Sequence, residues 1–291
     1  MAKIDKKSNL AQYVNLKEVA NGSHSTVYIA EDSVSGRNVV IKKLGKDHFP
    51  MHRVENEVRA LVELSKIQGV VNFYGAFETA KSFWLVFDRL HGVDLFAFLE
   101  ERDYQPLDED QVWTIFSQLL KIFNEIHNRG IAHKDIKLEN IMVDRQSLNI
   151  TVIDFGLCEL FKARKTSPNA EWLSEDYSGS LEYIAPEKKV CQRQPYSPKK
   201  ADVWSLGITL YTLLFGEFPL QFTDMCSLVD AQKQRDGIKF EFSDGRQPVS
   251  SNVIDIICKM LELNPADRPN LQQLMNHPWV VERREEEQRA L

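Results

Sequence analysis

The residues best suited to chemistry lie in two short stretches. One is His133-Lys134-Asp135-Ile136-Lys137-Leu138-Glu139-Asn140, and the other ends in Asp154-Phe155-Gly156. Between them, two apolar runs at 141–143 and 150–153 flank a polar segment at 144–149, which is the pattern of a β-hairpin. A hairpin turns the chain back, so Asp154, 19 residues after Asp135, approaches both Asp135 and Asn140. Asn140 and Asp154 then offer hard oxygen ligands of the kind Mg²⁺ takes when it is shared with phosphates. Asp135 is left to accept a proton. Lys137 is left to neutralise a phosphoryl group in transit. Phosphoryl transfer asks for this combination of positioning and charge neutralisation, with little covalent work.

The rest of the chain must position these groups. It has 291 residues and a mass of 33.6 kDa, with 43% apolar and 27% charged residues. That is ordinary globular usage, and it excludes disorder, collagen and coiled coil as descriptions of the whole. A chain of this size buries roughly 75% of its unfolded surface and needs no disulfides to fold. Its four cysteines, Cys158, Cys191, Cys226 and Cys258, have no zinc-site spacing and read as reduced thiols of an intracellular protein, cytoplasmic or nuclear. The net charge of −6 argues against nucleic acid and for basic partners. The N-terminus lacks the apolar core of a secretory signal. The longest apolar stretch, 206–215, is too short for a membrane span and reads as a buried helix. His48 and His52 are separated by Pro50 and have no evident further ligands, so no metal site is read there.

Residues 14–30 and 37–44 are rich in β-branched side chains and flank a turn at 32–36. A helix is expected over 53–66, then strands over 70–78 and 83–87. From residue 91 the texture changes. A long amphipathic helix over 111–129 carries Val112, Ile115, Phe116, Leu119, Leu120, Phe123 and Ile126 on one face, and helical patterns prevail after Asp202. The expected architecture is α+β and bilobal. A small β-rich lobe spans 13–87, a hinge 88–90 and a larger, mainly helical lobe 91–281, and 282–291 form a charged tail that extends the last helix or frays. The cleft between the lobes is the expected ligand site.

With those motifs in place, the chain resembles a eukaryotic protein kinase domain over roughly residues 13–281. His133–Asn140 resembles the catalytic loop and Asp154-Phe155-Gly156 the metal-binding DFG. Ala185-Pro186-Glu187 resembles the APE motif, and Asp202-Val203-Trp204-Ser205-Leu206-Gly207 the DxWSxG start of the central helix. Asn264-Pro265-Ala266-Asp267-Arg268-Pro269 and His277-Pro278-Trp279 resemble the usual close. Five such motifs in family order are far more specific than any one of them. Val39-Val40-Ile41-Lys42 is similar to the strand whose lysine holds the α- and β-phosphates, and Glu57 to the carboxylate that orients it.

The resemblance implies ATP and Mg²⁺ as cofactors and a protein serine or threonine as substrate. It implies Asp135, Lys137, Asn140, Lys42 and Asp154 as the catalytic set, with Asn140 and Asp154 on the metal. It places Ala20, Gly22, Ser25, Val27, Val40, Lys42, Glu57, Phe87, Asp88, Leu90, Asp94 and Met142 around the nucleotide. Ser180 should bond Asp135 and Lys137, Glu187 should pair with Arg268, and His133, Phe155, Leu61 and Phe73 should pack as an apolar spine. The branch it is similar to is the calmodulin-dependent, basophilic one. There Glu139 and Asp94 match acidic positions that receive a substrate arginine, and Leu157 accompanies a preference for serine. A monomer with no nucleic-acid or membrane partner is expected.

Three departures stand out. The phosphate-covering loop Ala20-Asn21-Gly22-Ser23-His24-Ser25 keeps one glycine of the family's three, which stiffens it. Val40 narrows the roof of the adenine site and Phe87 closes its back, so bulky inhibitors should bind poorly. In the catalytic loop, Lys134 replaces an arginine that would grip a phosphorylated segment through a bidentate fork. Asp176 falls where relatives carry the phosphothreonine, Glu159 falls where a second basic contact often sits, and Arg53 is the other plausible cation, so one carboxylate faces one or two cations and activity without phosphorylation is expected. Ser167, Ser174, Tyr177 and Ser178 are modifiable in type. The alternative reading is a nucleotide-binding pseudokinase acting as a scaffold. It draws on the poor glycine loop and is opposed by the intact Lys42, Glu57, Asp135, Asn140 and Asp154.

Overall fold

The computed structural model describes residues 10–22, 25–161, 172–188, 194–219, 240 and 248–290. Ser23, His24, Ser167, Cys191 and Cys226 lie outside the described residues.

Five antiparallel strands make the small lobe: β1 (Tyr13–Asn21), β2 (Ser25–Asp32), β3 (Arg37–Gly45), β4 (Phe73–Glu78) and β5 (Ser82–Asp88), in the order β1-β2-β3-β5-β4. Successive side chains on a strand face opposite ways, and β3 uses both faces. Val39 and Ile41 join Phe77, Trp84 and Val86 in an outer cluster, while Leu44 joins the main core. The β2–β3 turn falls where the sequence placed it. Asp32 accepts from Val34 N and Ser35 Oγ, and Gly36 takes the left-handed conformation at φ 69°.

Helix α1 (Met51–Leu64) buries Val54, Val58, Leu61 and Leu64 at helical spacing. Glu57 lies in the same stripe and is 2% exposed. A carboxylate that deep requires a partner.

One expectation needs correcting. The sequence suggested a single strand over 70–78, but β4 begins at Phe73. Residues 69–71 instead bond across to the other lobe. Val152 N donates to Gly69 O at 2.7 Å and Val71 N to Val152 O at 3.0 Å, a parallel bridge. Gly69, just ahead of the expected strand, turns the chain with φ +87°, and a Cβ there would lie 2.4 Å from Ile122 Cδ1.

The large lobe contains β6 (Val93–Asp94), α2 (Leu95–Glu100), α3 (Glu109–Asn128), β7 (Ile131–Ala132), β8 (Ile141–Val143), β9 (Ile150–Val152), β10 (Glu159–Leu160), α4 (Pro198–Phe215), α5 (Ser251–Met260), α6 (Leu271–Leu274) and α7 (Pro278–Ala290). A capping box, Asp108 with Gln111, starts α3, and all seven of its expected apolar residues are buried. Helix α4 is buried on every side, as a core helix is, and ends at the left-handed Gly216. The tail continues α7 rather than fraying: Trp113 Nε1 donates to Glu287 at 2.6 Å, and Arg283 pairs with Asp110. One continuous apolar core runs through both lobes, from Leu44 and Val58 past Phe155 to Trp279. The chain is α+β, with a β-rich N-terminal part and a helical C-terminal part. Among the described residues no helix is long and apolar enough to cross a membrane.

Candidate active site

The catalytic loop is held from below by α4. Asp202 is 1% exposed. It accepts from His133 N and Lys134 N, both at 2.8 Å, and lies 2.9 Å from His127 Nε2. Burial raises the pKa of the Asp202 carboxyl, but the His127 hydrogen bond and nearby positive charge outweigh that and hold it below the usual carboxylate range. These bonds fix Lys134 at φ 70°, a conformation costing about 1–2 kcal/mol for a residue with a Cβ. His133 packs against Phe155 with ring centres 4.9 Å apart. Burial lowers its pKa, which suits a packing residue rather than a proton carrier.

The next residue, Asp135, is the hub. Its Oδ1 accepts from Ser180 Oγ at 2.9 Å and Ser180 N at 3.1 Å. Its Oδ2 accepts from Asn140 Nδ2 at 3.2 Å and lies 3.5 Å from Lys137 Nζ. Lys137 Nζ in turn donates to Ser180 Oγ at 2.9 Å. The sequence-expected triad of Asp135, Lys137 and Ser180 is therefore assembled.

The β8–β9 hairpin does what its pattern implied. Ile141 opposes Val152, and Ile153 N donates to Asn140 O at 2.9 Å, so Asp154 emerges beside Asn140. Asp154 has φ 56°, and its Oδ1 accepts from Gly156 N at 2.9 Å and Lys42 Nζ at 2.7 Å. Lys42 also reaches Glu57 Oε1 at 3.0 Å, so one ammonium bridges two carboxylates from three separate elements. Burial raises the Asp154 pKa and the Lys42 charge lowers it more, down to about 2. Burial works against the charged Lys42, but Asp154 and Glu57 prevail and push its pKa up. Burial pushes the Glu57 carboxyl up, opposed by Lys42. Asn140 spends its amide hydrogens on Asp135, which leaves its carbonyl oxygen as a ligand beside the Asp154 carboxylate. Two hard oxygens supplemented by phosphate oxygens fit Mg²⁺.

Above this floor lies a cleft of about 250 Å³ lined by Ser25, Val27, Val40, Lys42, Phe87, Asp88, Leu90, Met142 and Asp154, together with Val71 and Ile153. Sequence reasoning missed the last two, because their contact with the cleft follows from the cross-lobe bridge at Val152. Ala20 and Gly22 do not line this cleft. They lie on the β1 side of the β1–β2 hairpin, where Gly22 N bonds Ser25 O at 2.9 Å. Glu57 sits behind Lys42. Asp94 caps α2 through Ala97 N at 2.9 Å, and Glu139 is exposed on the turn after Lys137.

The segment after Asp154 is fastened at several points. Lys134 Nζ, 1% exposed, reaches Asp176 Oδ2 at 2.9 Å and Glu159 Oε2 at 3.1 Å. Arg53 from α1 adds a contact to Asp176 at 3.4 Å. Burial raises the Asp176 pKa, but Lys134 and Ser178 together bring it well below the usual range. Ser174, 1% exposed, donates to Glu159 at 2.6 Å. Glu187 and the fully buried Arg268 form the expected bidentate pair at 2.6 and 2.9 Å.

The comparisons agree with this geometry. A family model described as protein kinase domain matches residues 13–280. Sperm motility kinase 3A of Mus musculus is 31% identical over 272 residues, which is 94% of this chain and 50% of that protein. Maternal embryonic leucine zipper kinase of Xenopus laevis is 31% identical over 281 residues, 96% of this chain and 41% of that protein. Serine/threonine-protein kinase pim-2 of Danio rerio is 29% identical over 289 residues, covering 93% of this chain and 85% of the relative. The chain spans about half the length of the first of these relatives. A lysine bridged to two carboxylates above a catalytic-loop aspartate, within a chain matched almost end to end, settles the assignment: the chain belongs to the protein kinase domain family.

Proposed function

We propose that the chain is a protein serine/threonine kinase. It transfers the γ-phosphoryl group of ATP, used as its Mg²⁺ complex, to a protein serine or threonine in a basic context. One observation carries this reading: Asp135, Ser180 and Lys137 bond one another directly below Lys42 and Asp154, in the arrangement an incoming hydroxyl and a terminal phosphate require.

Lys42, oriented by Glu57, grips the α- and β-phosphates. Asn140 and Asp154 would hold the metal, whose charge neutralises the phosphate oxygens when it is bound. Asp135 accepts the hydrogen of the substrate hydroxyl as its oxygen bonds to the γ-phosphorus. The bond from that phosphorus to the bridging oxygen breaks, and ADP leaves with the electron pair. Lys137 offsets charge on the moving phosphoryl group. Ser180 ties the substrate-binding segment to the same carboxylate. Exposed Glu139 and half-buried Asp94 supply carboxylates for a substrate arginine, which pairs with them bidentately. Asp176, already held by Lys134 and Arg53, replaces an activating phosphate, so the unmodified chain is active. A scaffold without catalysis would need a gap in this set, and each member is present and connected.

The test is turnover of Mg-ATP on a serine peptide with basic residues, beside its scrambled version and beside Asp135→Asn. Wild type should phosphorylate the basic peptide best, and Asp135→Asn should lose nearly all turnover while still binding nucleotide. Equal turnover by Asp135→Asn, or indifference to scrambling, would reject the catalytic or the substrate assignment respectively.

A further inference from the structure

Immediately after the Ala185-Pro186-Glu187 motif stands Lys188, a charged residue that is 4% exposed. Its ammonium donates to Ser178 O at 2.5 Å and to Lys134 O at 3.4 Å, and it sits 5.7 Å from the centre of the Tyr196 ring. Both acceptors matter. Lys134 is the left-handed residue immediately before Asp135. Ser178 opens the turn Ser178-Gly179-Ser180 that delivers Ser180 to Asp135. Gly179 has φ +148°, and a Cβ there would come within 2.8 Å of Lys188 Nζ and 3.2 Å of Lys134 O. The ammonium thus fills the space between two backbone segments that lead, one residue after Lys134 and two after Ser178, into the Asp135–Ser180 contact.

Asp202 on α4 accepts from the Lys134 amide, and Lys188 donates to the carbonyl of the same residue. We propose that Lys188 is a positioning residue for phosphoryl transfer, a buried cation that ties the catalytic loop to the substrate-recognising turn so that Asp135 and Ser180 meet in register. This rests on the kinase reading of the same site.

A buried cation costs free energy unless something is gained from it, and two carbonyls with one ring are a thin compensation. The charged groups facing it are Lys134, which repels, and Asp202, Asp135 and Asp176, which attract. Burial leads, and the outcome is a pKa held down at about 8. The sign follows. Below that value the ammonium is charged, and its hydrogen bonds are charge-assisted and stronger. As pH rises through it, the amine becomes neutral and the tie weakens, so activity falls on the alkaline side.

The test uses the full chain with Mg-ATP and a basic serine peptide. In Lys188→Met, which keeps the volume and removes the charge, kcat should fall about tenfold or more while KM for Mg-ATP stays within about twofold, since a misplaced catalytic group costs turnover rather than nucleotide affinity. In wild type, kcat should decline with a midpoint near pH 8. In Lys188→Arg, whose charge persists, that decline should disappear. If Lys188→Arg does not fold, lysine ε-carbon NMR decides: one resonance should titrate near pH 8 in wild type and be missing in Lys188→Met. A folded Lys188→Met with wild-type kcat, an unchanged alkaline decline in Lys188→Arg, or titration of this lysine at an ordinary pKa would each overturn the proposal. If even wild type fails to phosphorylate any peptide, the kinase reading falls instead, and the NMR titration still reports on the brace.

Discussion

The floor and the roof of the cleft are built on opposite principles. The floor, from His133 to Asn140, from Asp154 to Phe161 and from Trp172 to Lys188, is a mesh of buried and half-buried polar groups in which nearly every hub has two or more partners. Asp202 holds two amides and a histidine, Asp135 meets three side chains, and Lys134 spans two carboxylates. The roof, the β1–β2 hairpin, has almost none of this. In β1 every residue but Tyr13 and Leu16 is exposed, the pairing with β2 carries two register shifts, and one glycine remains of the family's three. Buried polar meshes are costly where a group lacks a partner, as His133 Nε2 does, so a mesh this dense implies that geometry there is a main requirement of the protein. The contrast points to turnover that depends on the floor and tolerates an exposed roof.

Changes to the floor should therefore be the most damaging. Asp135→Asn should lower kcat by about 1,000-fold with little change in nucleotide affinity, the scale expected for loss of a positioned base. A loss of only a few-fold would show that the mesh merely supports the fold. Next comes the brace beneath the floor. Arg268→Leu strands Glu187 in a buried site and should cost about 3–5 kcal/mol, read by denaturant unfolding. A change under about 1 kcal/mol would mean that the pair is dispensable. Asp176→Ala removes the carboxylate shared by Lys134 and Arg53 and should lower kcat by about tenfold, because Lys134 then keeps only Glu159 and the link to Arg53 on α1 is lost. Full activity in that variant would break the link between Asp176 and activation. The roof should respond least. Ala20→Gly should improve KM for Mg-ATP by about two- to threefold and leave kcat alone, since the substitution restores backbone freedom without touching the mesh. A tenfold gain in kcat would mean that the roof, not the floor, limits turnover.

The difference between the two regions also governs what could be read from the chain. Short motifs announce side chains whose job is local and whose order is fixed, so Asp135, Asn140, Asp154, Lys42 and Glu57 could be named and the hairpin between them inferred from two apolar runs and a polar turn. The seven apolar residues of α3 declared their face by spacing alone. What escaped were groups whose roles depend on distant backbone. Lys188 resembles any lysine in sequence, and only the carbonyls of Lys134 and Ser178 give it a task. Val71 and Ile153 line the cleft beside the bridge from residues 69–71 to Val152 in the other lobe, a long-range pairing that no local pattern announces. Asp202 reads as the start of a helix motif, and its three partners lie about 70 residues away. The docking of the charged tail through Glu287 on Trp113, 174 residues apart, leaves no local trace.

In the unmodified chain Asp176 already ties Lys134 to Arg53, and Asp135, Lys137 and Ser180 are bonded to one another. The rate of phosphoryl transfer by protein shown by mass spectrometry to carry no phosphate, compared with the same preparation after incubation with Mg-ATP, tests whether that arrangement suffices. Equal rates, with no lag in the unmodified sample, are expected from a segment that Asp176 already secures. A silent unmodified protein that gains activity in step with phosphate incorporation would contradict it.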